Sequence, residues 1–221
     1  MTRYEALVDR WSRQVLVYFV DVPGCQVSVF ATEDHLAAAP PVISDYLGWL
    51  AAHGIADEPA GDIEVVVAED RSAAAGIGAI FLSDLARPST EYVLRANEVA
   101  GAVLEDLLGW RHRDDSAKTV RLADSAGEPV TLTGVIRHVA EMDRYYLDSV
   151  GRGGLPPLPD DPGEAVRTTF REVTDLIDSS FITENRRTTD ASGEEWTPMK
   201  LLRRRTGHVR EHYPEIEQLL R

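Results

Sequence analysis

Leu132-Thr133-Gly134-Val135-Ile136-Arg137-His138-Val139-Ala140-Glu141-Met142-Asp143-Arg144-Tyr145-Tyr146 is the stretch on which the fold turns. Its apolar residues Leu132, Val135, Ile136, Val139 and Tyr146, with Val150 beyond, each have another of the set three, four or seven positions away. That spacing gathers them on one side of a helix and predicts a helix over 131–150. Three further stretches share the period. Residues 90–109 carry Tyr92, Val99, Val103, Leu107 and Leu108, and 163–181 carry Val166, Phe170, Val173, Ile177 and Phe181. Residues 196–220 carry Leu202, Val209, Tyr213, Ile216 and Leu220. Four such stripes need one another to leave water, and a four-helix bundle over 83–221 satisfies all of them.

Upstream the pattern changes. Gln14-Val15-Leu16-Val17-Tyr18-Phe19-Val20 reads as a strand stopped by Pro23-Gly24, and Gln26-Val27-Ser28-Val29-Phe30-Ala31 as its hairpin partner. A helix capped by Thr32 runs past Pro40-Pro41 through Val42, Tyr46, Trp49 and Leu50 to Gly54. Ile63-Glu64-Val65-Val66-Val67-Ala68 is a third strand. The fold class is therefore α+β: a small αβ domain over 1–70, a linker over 71–82 and the helical bundle over 83–221. The sheet is expected to carry a helix on one face and to stand apart from the helical core.

The chain has 221 residues, 37 acidic against 23 basic groups and a net charge of −14. Residues 1–82 hold twelve acidic and four basic groups. That balance argues against nucleic acid or an anionic membrane as a partner. Arg203-Arg204-Arg205 spreads around a helix circumference, so it forms no single basic face. The sequence contains no apolar run long enough to span a bilayer and opens without a signal-peptide pattern. The single cysteine, Cys25, excludes an internal disulfide and reads as a buried or half-buried structural thiol rather than a nucleophile. Together these features predict a cytoplasmic protein.

Six histidines occur, and His208 and His212 stand one helical turn apart. Two imidazoles so placed can face one ion, with a third ligand supplied by another helix. His138, beside the stripe of its own helix, is the best third. Three neutral imidazoles leave coordination positions open for water or substrate. Read singly, helix histidines are more often hydrogen-bonded boundary residues than ligands. Glu141, one turn from His138, is either a base, a carboxylate orienting a ligand or a solvated glutamate. Of Tyr145 and Tyr146, one belongs to the core, and the pair is placed to line a pocket. Pro214, two residues after His212, removes a helical hydrogen bond and predicts a kink beside the pair.

The stretch 132–146 resembles the second helix of DinB-like bundles, and Trp196-Thr197-Pro198-Met199-Lys200-Leu201-Leu202-Arg203-Arg204 through His208 and His212 resembles their last helix. The resemblance implies that His138, His208 and His212 bind a divalent metal: zinc or nickel first, with iron, copper or manganese also open. It further implies a metal-dependent enzyme in which the ion activates water or a low-molecular-weight thiol, as transferase or hydrolase, on a small-molecule substrate. Residues 1–70 resemble HicB-like domains through Asp21-Val22-Pro23-Gly24-Cys25, the helix after Thr32 and Ile43-Ser44-Asp45-Tyr46-Leu47-Gly48-Trp49-Leu50. The alternative it implies is a non-catalytic protein-interaction module, with the bundle as a metal-stabilised scaffold. A homodimer is open in either case.

Overall fold

Three antiparallel strands open the chain: β1 (Thr2–Arg10), β2 (Gln14–Phe19) and β3 (Gln26–Phe30). After α1 (His35–Ala52) the chain returns as β4 (Ile63–Ser72), parallel to β1, giving the order β3-β2-β1-β4. The computed structural model describes residues 1–11, 13–56, 61–72, 78–113, 117–122, 128–177 and 180–221. The strand β1 goes unread in the sequence because Arg3, Glu5, Asp9 and Arg10 break its apolar alternation. It is nevertheless central, with Ala6, Val8 and even Asp9 fully buried.

The period of two is visible in β2. Val15, Val17 and Phe19 join Tyr4, Ala6 and Val8 beneath the α1 residues Ile43, Tyr46 and Leu50. Leu16 and Tyr18 turn to the other face, which Ala79 and Phe81 cover. The helix α1 is capped two residues later than the sequence suggests, by Asp34, whose carboxylate accepts the N–H groups of Leu36 and Ala37. It ends where Gly54 takes a φ of +68° and the Ile55 N–H reaches the Leu50 carbonyl.

Four helices make up most of the remainder: α2 (Thr90–Arg111), α3 (Leu132–Ser149), α4 (Pro162–Ile177) and, after the single turn α5 (Ser180–Thr183), α6 (Pro198–Glu211). A two-stranded ribbon, β5 (Thr188–Thr189) with β6 (Glu195–Trp196), precedes α6. The last expected helix is in fact two. It stops at His212, and α7 (Tyr213–Leu220) starts afresh with Pro214 in its first turn, where no helical N–H is needed. The expected kink is thus a complete break.

The apolar core is continuous across both parts, so the sheet does not stand apart from the bundle. The cluster holding Val17, Phe19 and Tyr46 also holds Val99, Leu107, Val135, Ile136, Val209 and Ile216. At the Pro23-Gly24 turn, a β-carbon on Gly24 (φ +90°) would lie 2.6 Å from the Tyr46 hydroxyl and 3.1 Å from Val99. Residues 73–77 of the expected linker lie outside the described residues; Gly78 and Ala79, next along it, are held by buried charge. Lys200 donates to the Gly78 carbonyl at 2.7 Å and pairs with Glu194 at 2.7 Å, whose carboxylate also takes the Gly78 N–H. Asp9 accepts the Ala79 N–H, and Arg203 pairs with Asp84 at 2.6 Å. Buried ions need partners to offset their desolvation: Lys200 and Arg203 each have a carboxylate, and Asp9 has a backbone N–H on one oxygen.

Candidate metal centre

The helix α6 is built to a fixed start. Thr197 accepts the Lys200 N–H at 3.1 Å and Pro198 occupies the first turn, so the register of the following residues is set. His208 lies in the last turn of α6 and His212 is its C-terminal cap. Both are buried, at 5% and 0% exposure, while His138 on α3 is half-buried.

The three rings converge. Ring centroids are 4.6 Å apart for His208 and His212, 5.0 Å for His138 and His212, and 5.2 Å for His138 and His208. One nitrogen from each lies within 4.8 Å of the others, a group able to hold a metal ion. Nitrogens bound at 2.0–2.2 Å to a tetrahedral ion stand about 3.3–3.6 Å apart. The Nε2 atoms of His208 and His212 already approach to 3.1 Å.

A fourth residue decides which nitrogen His212 offers. The Glu215 carboxylate lies 2.6 Å from His212 Nδ1, three residues on and across the helix break. A carboxylate there keeps the proton on Nδ1, so Nε2 presents its lone pair toward His208. The donor set and this orientation fit a divalent ion with imidazole ligands. Glu215 stands in the first turn of α7, so its contact with His212 spans the point where α6 ends and α7 begins. Sequence reading missed Glu215, although the signal was present as a carboxylate three residues after a candidate ligand.

Other expected residues fall elsewhere. Glu141 turns away to pair with Arg137 at 2.9 Å, its side chain 55% exposed. Glu211, adjacent to the ligands, accepts from Gln26 of β3 at 3.1 Å, so the sheet borders the site. Tyr146 is the core member of the tyrosine pair, and its ring stands edge-on to His208 at 6.1 Å; Tyr145 is 42% exposed. Cys25 is buried, and loss of solvent pushes its thiol up to about 12 against the opposing pull of Arg210. Asp143, deeper in the bundle, is also pushed up by burial, with Arg205 and Thr169 acting in the other direction. No described helix is long and apolar enough to cross a membrane.

Compared with known protein families, curated proteins and solved structures, the chain matches none.

Proposed function

We propose that this chain is a metal-dependent enzyme of the DinB-like kind, with a HicB-like unit over 1–70 joined through 71–82 to the bundle over 83–221. His138, His208 and His212 hold a divalent ion, with zinc or nickel preferred, and the reaction is a transfer or hydrolysis on a small molecule. The observation that carries this reading is the convergence of three imidazoles from two helices, one of them oriented by Glu215.

A bound divalent ion would supply acidity, lowering the pKa of a water or low-molecular-weight thiol. The protein's own part is positional. Glu215 keeps the proton on His212 Nδ1, and the 0% exposure of His212 keeps water from competing for that hydrogen bond. Three protein ligands leave at least one coordination position for a reacting group, which a closed four-ligand structural site does not.

The test is metal content of the untagged full chain purified without chelator, followed by thiol-transfer and ester-hydrolysis assays. The reading expects about one equivalent of metal, lost in His212→Ala, and turnover that disappears with it. Metal without turnover would assign the site to the scaffold role. Absence of metal, or unchanged content in His212→Ala, would overturn the metal reading.

A further inference from the structure

The cations of α6 are not treated alike. Lys200 has Glu194, Arg203 has Asp84 and Arg205 has Asp143 as carboxylate partners. Arg204, half-buried between them and one turn before His208, has no carboxylate within ion-pair distance among the described residues. It donates from Nη1 to the neutral Tyr18 hydroxyl at 2.7 Å and lies against the Trp11 ring at 5.6 Å. Its Nε is buried with no hydrogen-bond partner among the described residues.

Two more donors in this region have no partner among the described residues. The Tyr146 hydroxyl is buried without a partner on a side chain of 0% exposure, and the Trp11 indole nitrogen is likewise unpaired. Among the charges around Tyr146, Arg204 acts on it most strongly. A guanidinium that feels the Glu194 carboxylate but forms no ion pair with it, beside donors that lack acceptors among the described residues, leaves hydrogen-bonding capacity unmet, and each buried unmet donor costs about 1–3 kcal/mol. Tyr146 borders the histidine cluster, its ring edge-on to His208 at 6.1 Å, and Arg204 precedes His208 by one turn of α6.

We propose that Arg204 and Tyr146 form an anion subsite of the metal centre, and that the ligand it takes is a small carboxylic acid bound through its carboxylate. The proposal rests on the metal reading for the identity of the reacting centre, but anion binding is measurable without metal. Tyr18, from the N-terminal sheet, acts as a positioning residue that holds the guanidinium in place. The sheet therefore completes the substrate site, which gives the N-terminal unit a role in it. A planar fork with one edge committed to Tyr18 still presents donors suited to two carboxylate oxygens.

Acetate is the probe and acetamide its uncharged isostere, each titrated at constant ionic strength into the ¹⁵N-labelled full chain, metal-free and zinc-loaded. The Arg204 Nε–H and Trp11 indole N–H resonances report binding. Acetate is expected to shift both saturably and acetamide to leave them unmoved. Arg204→Gln and Tyr146→Phe should each weaken acetate by about tenfold or more, with zinc affinity retained. Tyr146→Phe deletes a hydroxyl that bonds nothing, so it keeps the test available should Arg204→Gln fail to fold. His212→Ala separates the two claims: it should lose zinc and keep the acetate response in metal-free protein. No saturable shift in the wild type, equal shifts from acetamide, or acetate binding unchanged by Tyr146→Phe would overturn the subsite whatever the zinc result.

Discussion

Replacing Glu215 by Gln changes one charge at the atom that orients His212 and alters little else. The carboxylate oxygen stands 2.6 Å from Nδ1, and the His212 side chain it holds has no access to solvent. An amide oxygen can still accept the Nδ1 proton, so the ring stays in place. What is lost is the negative charge that raises the basicity of Nε2, the atom 3.1 Å from His208 Nε2. Partners of this kind are worth about 10–100-fold in metal affinity, or about 1.4–2.7 kcal/mol. Glu215→Ala adds a second effect, because it strands a buried N–H and costs about 1–3 kcal/mol of stability even without metal. Competition for zinc against a chromophoric chelator reads the first quantity and urea unfolding of metal-free protein the second. Glu217→Gln, on the exposed side of α7, serves as the control and should match wild type. If Glu215→Gln binds zinc within twofold of wild type, the carboxylate does not orient a ligand and the reasoning fails.

Three further outcomes are expected. Asp84→Ala leaves the Arg203 guanidinium, 5% exposed, and the Phe81 N–H without their acceptor, and should cost about 3–5 kcal/mol in urea unfolding. The double variant Asp84→Leu with Arg203→Met should recover most of it, and a single-variant loss below about 1 kcal/mol would contradict the buried-pair account. Burial opposes ionisation of Asp190, but hydrogen bonds from Ser192, Glu194 and Trp196 outweigh it and hold the carboxyl at about 2. A folded pKa below the unfolded one contributes stability above about pH 4 that is lost as pH falls toward 2. Asp190→Asn should therefore cost about 1 kcal/mol at pH 7, discounted for partial exposure, and nearly nothing at pH 2; equal loss at both would refute it. Cys25, at 2% exposure with a thiol pushed up to about 12, should react with a disulfide reagent only as fast as the chain unfolds. Full labelling of folded protein within seconds would contradict that.

The elements that sequence reading recovered are those whose periodicity is paid for by burial. The stripes of α2, α3 and α4 carry 3.6-residue spacing because one side of each faces the core, and β2 alternates because the sheet has two covered faces. His138, His208 and His212 were legible as a set since residues one turn apart share a face and α3 and α6 each expose a stripe to the other. The failures have physical causes as well. In β1, the buried Asp9 takes the Ala79 N–H on one carboxylate oxygen, a contact 70 residues away that no local pattern encodes. Pro214 marked the disturbed position as a kink, but only the folded chain shows the helix ending there and Glu215 lying against His212 Nδ1. The division of 203–205 into two arginines with carboxylates and one without likewise depends on Asp84 and Asp143, both distant in sequence.

Zinc titration of the metal-free full chain by calorimetry, for wild type, His138→Ala, His208→Ala and His212→Ala, tests the central claim most directly. One zinc per chain is expected for the wild type, with each substitution weakening it by at least a hundredfold while circular dichroism shows the helices intact. Zinc bound equally by wild type and all three variants, or by none of them, would contradict the account.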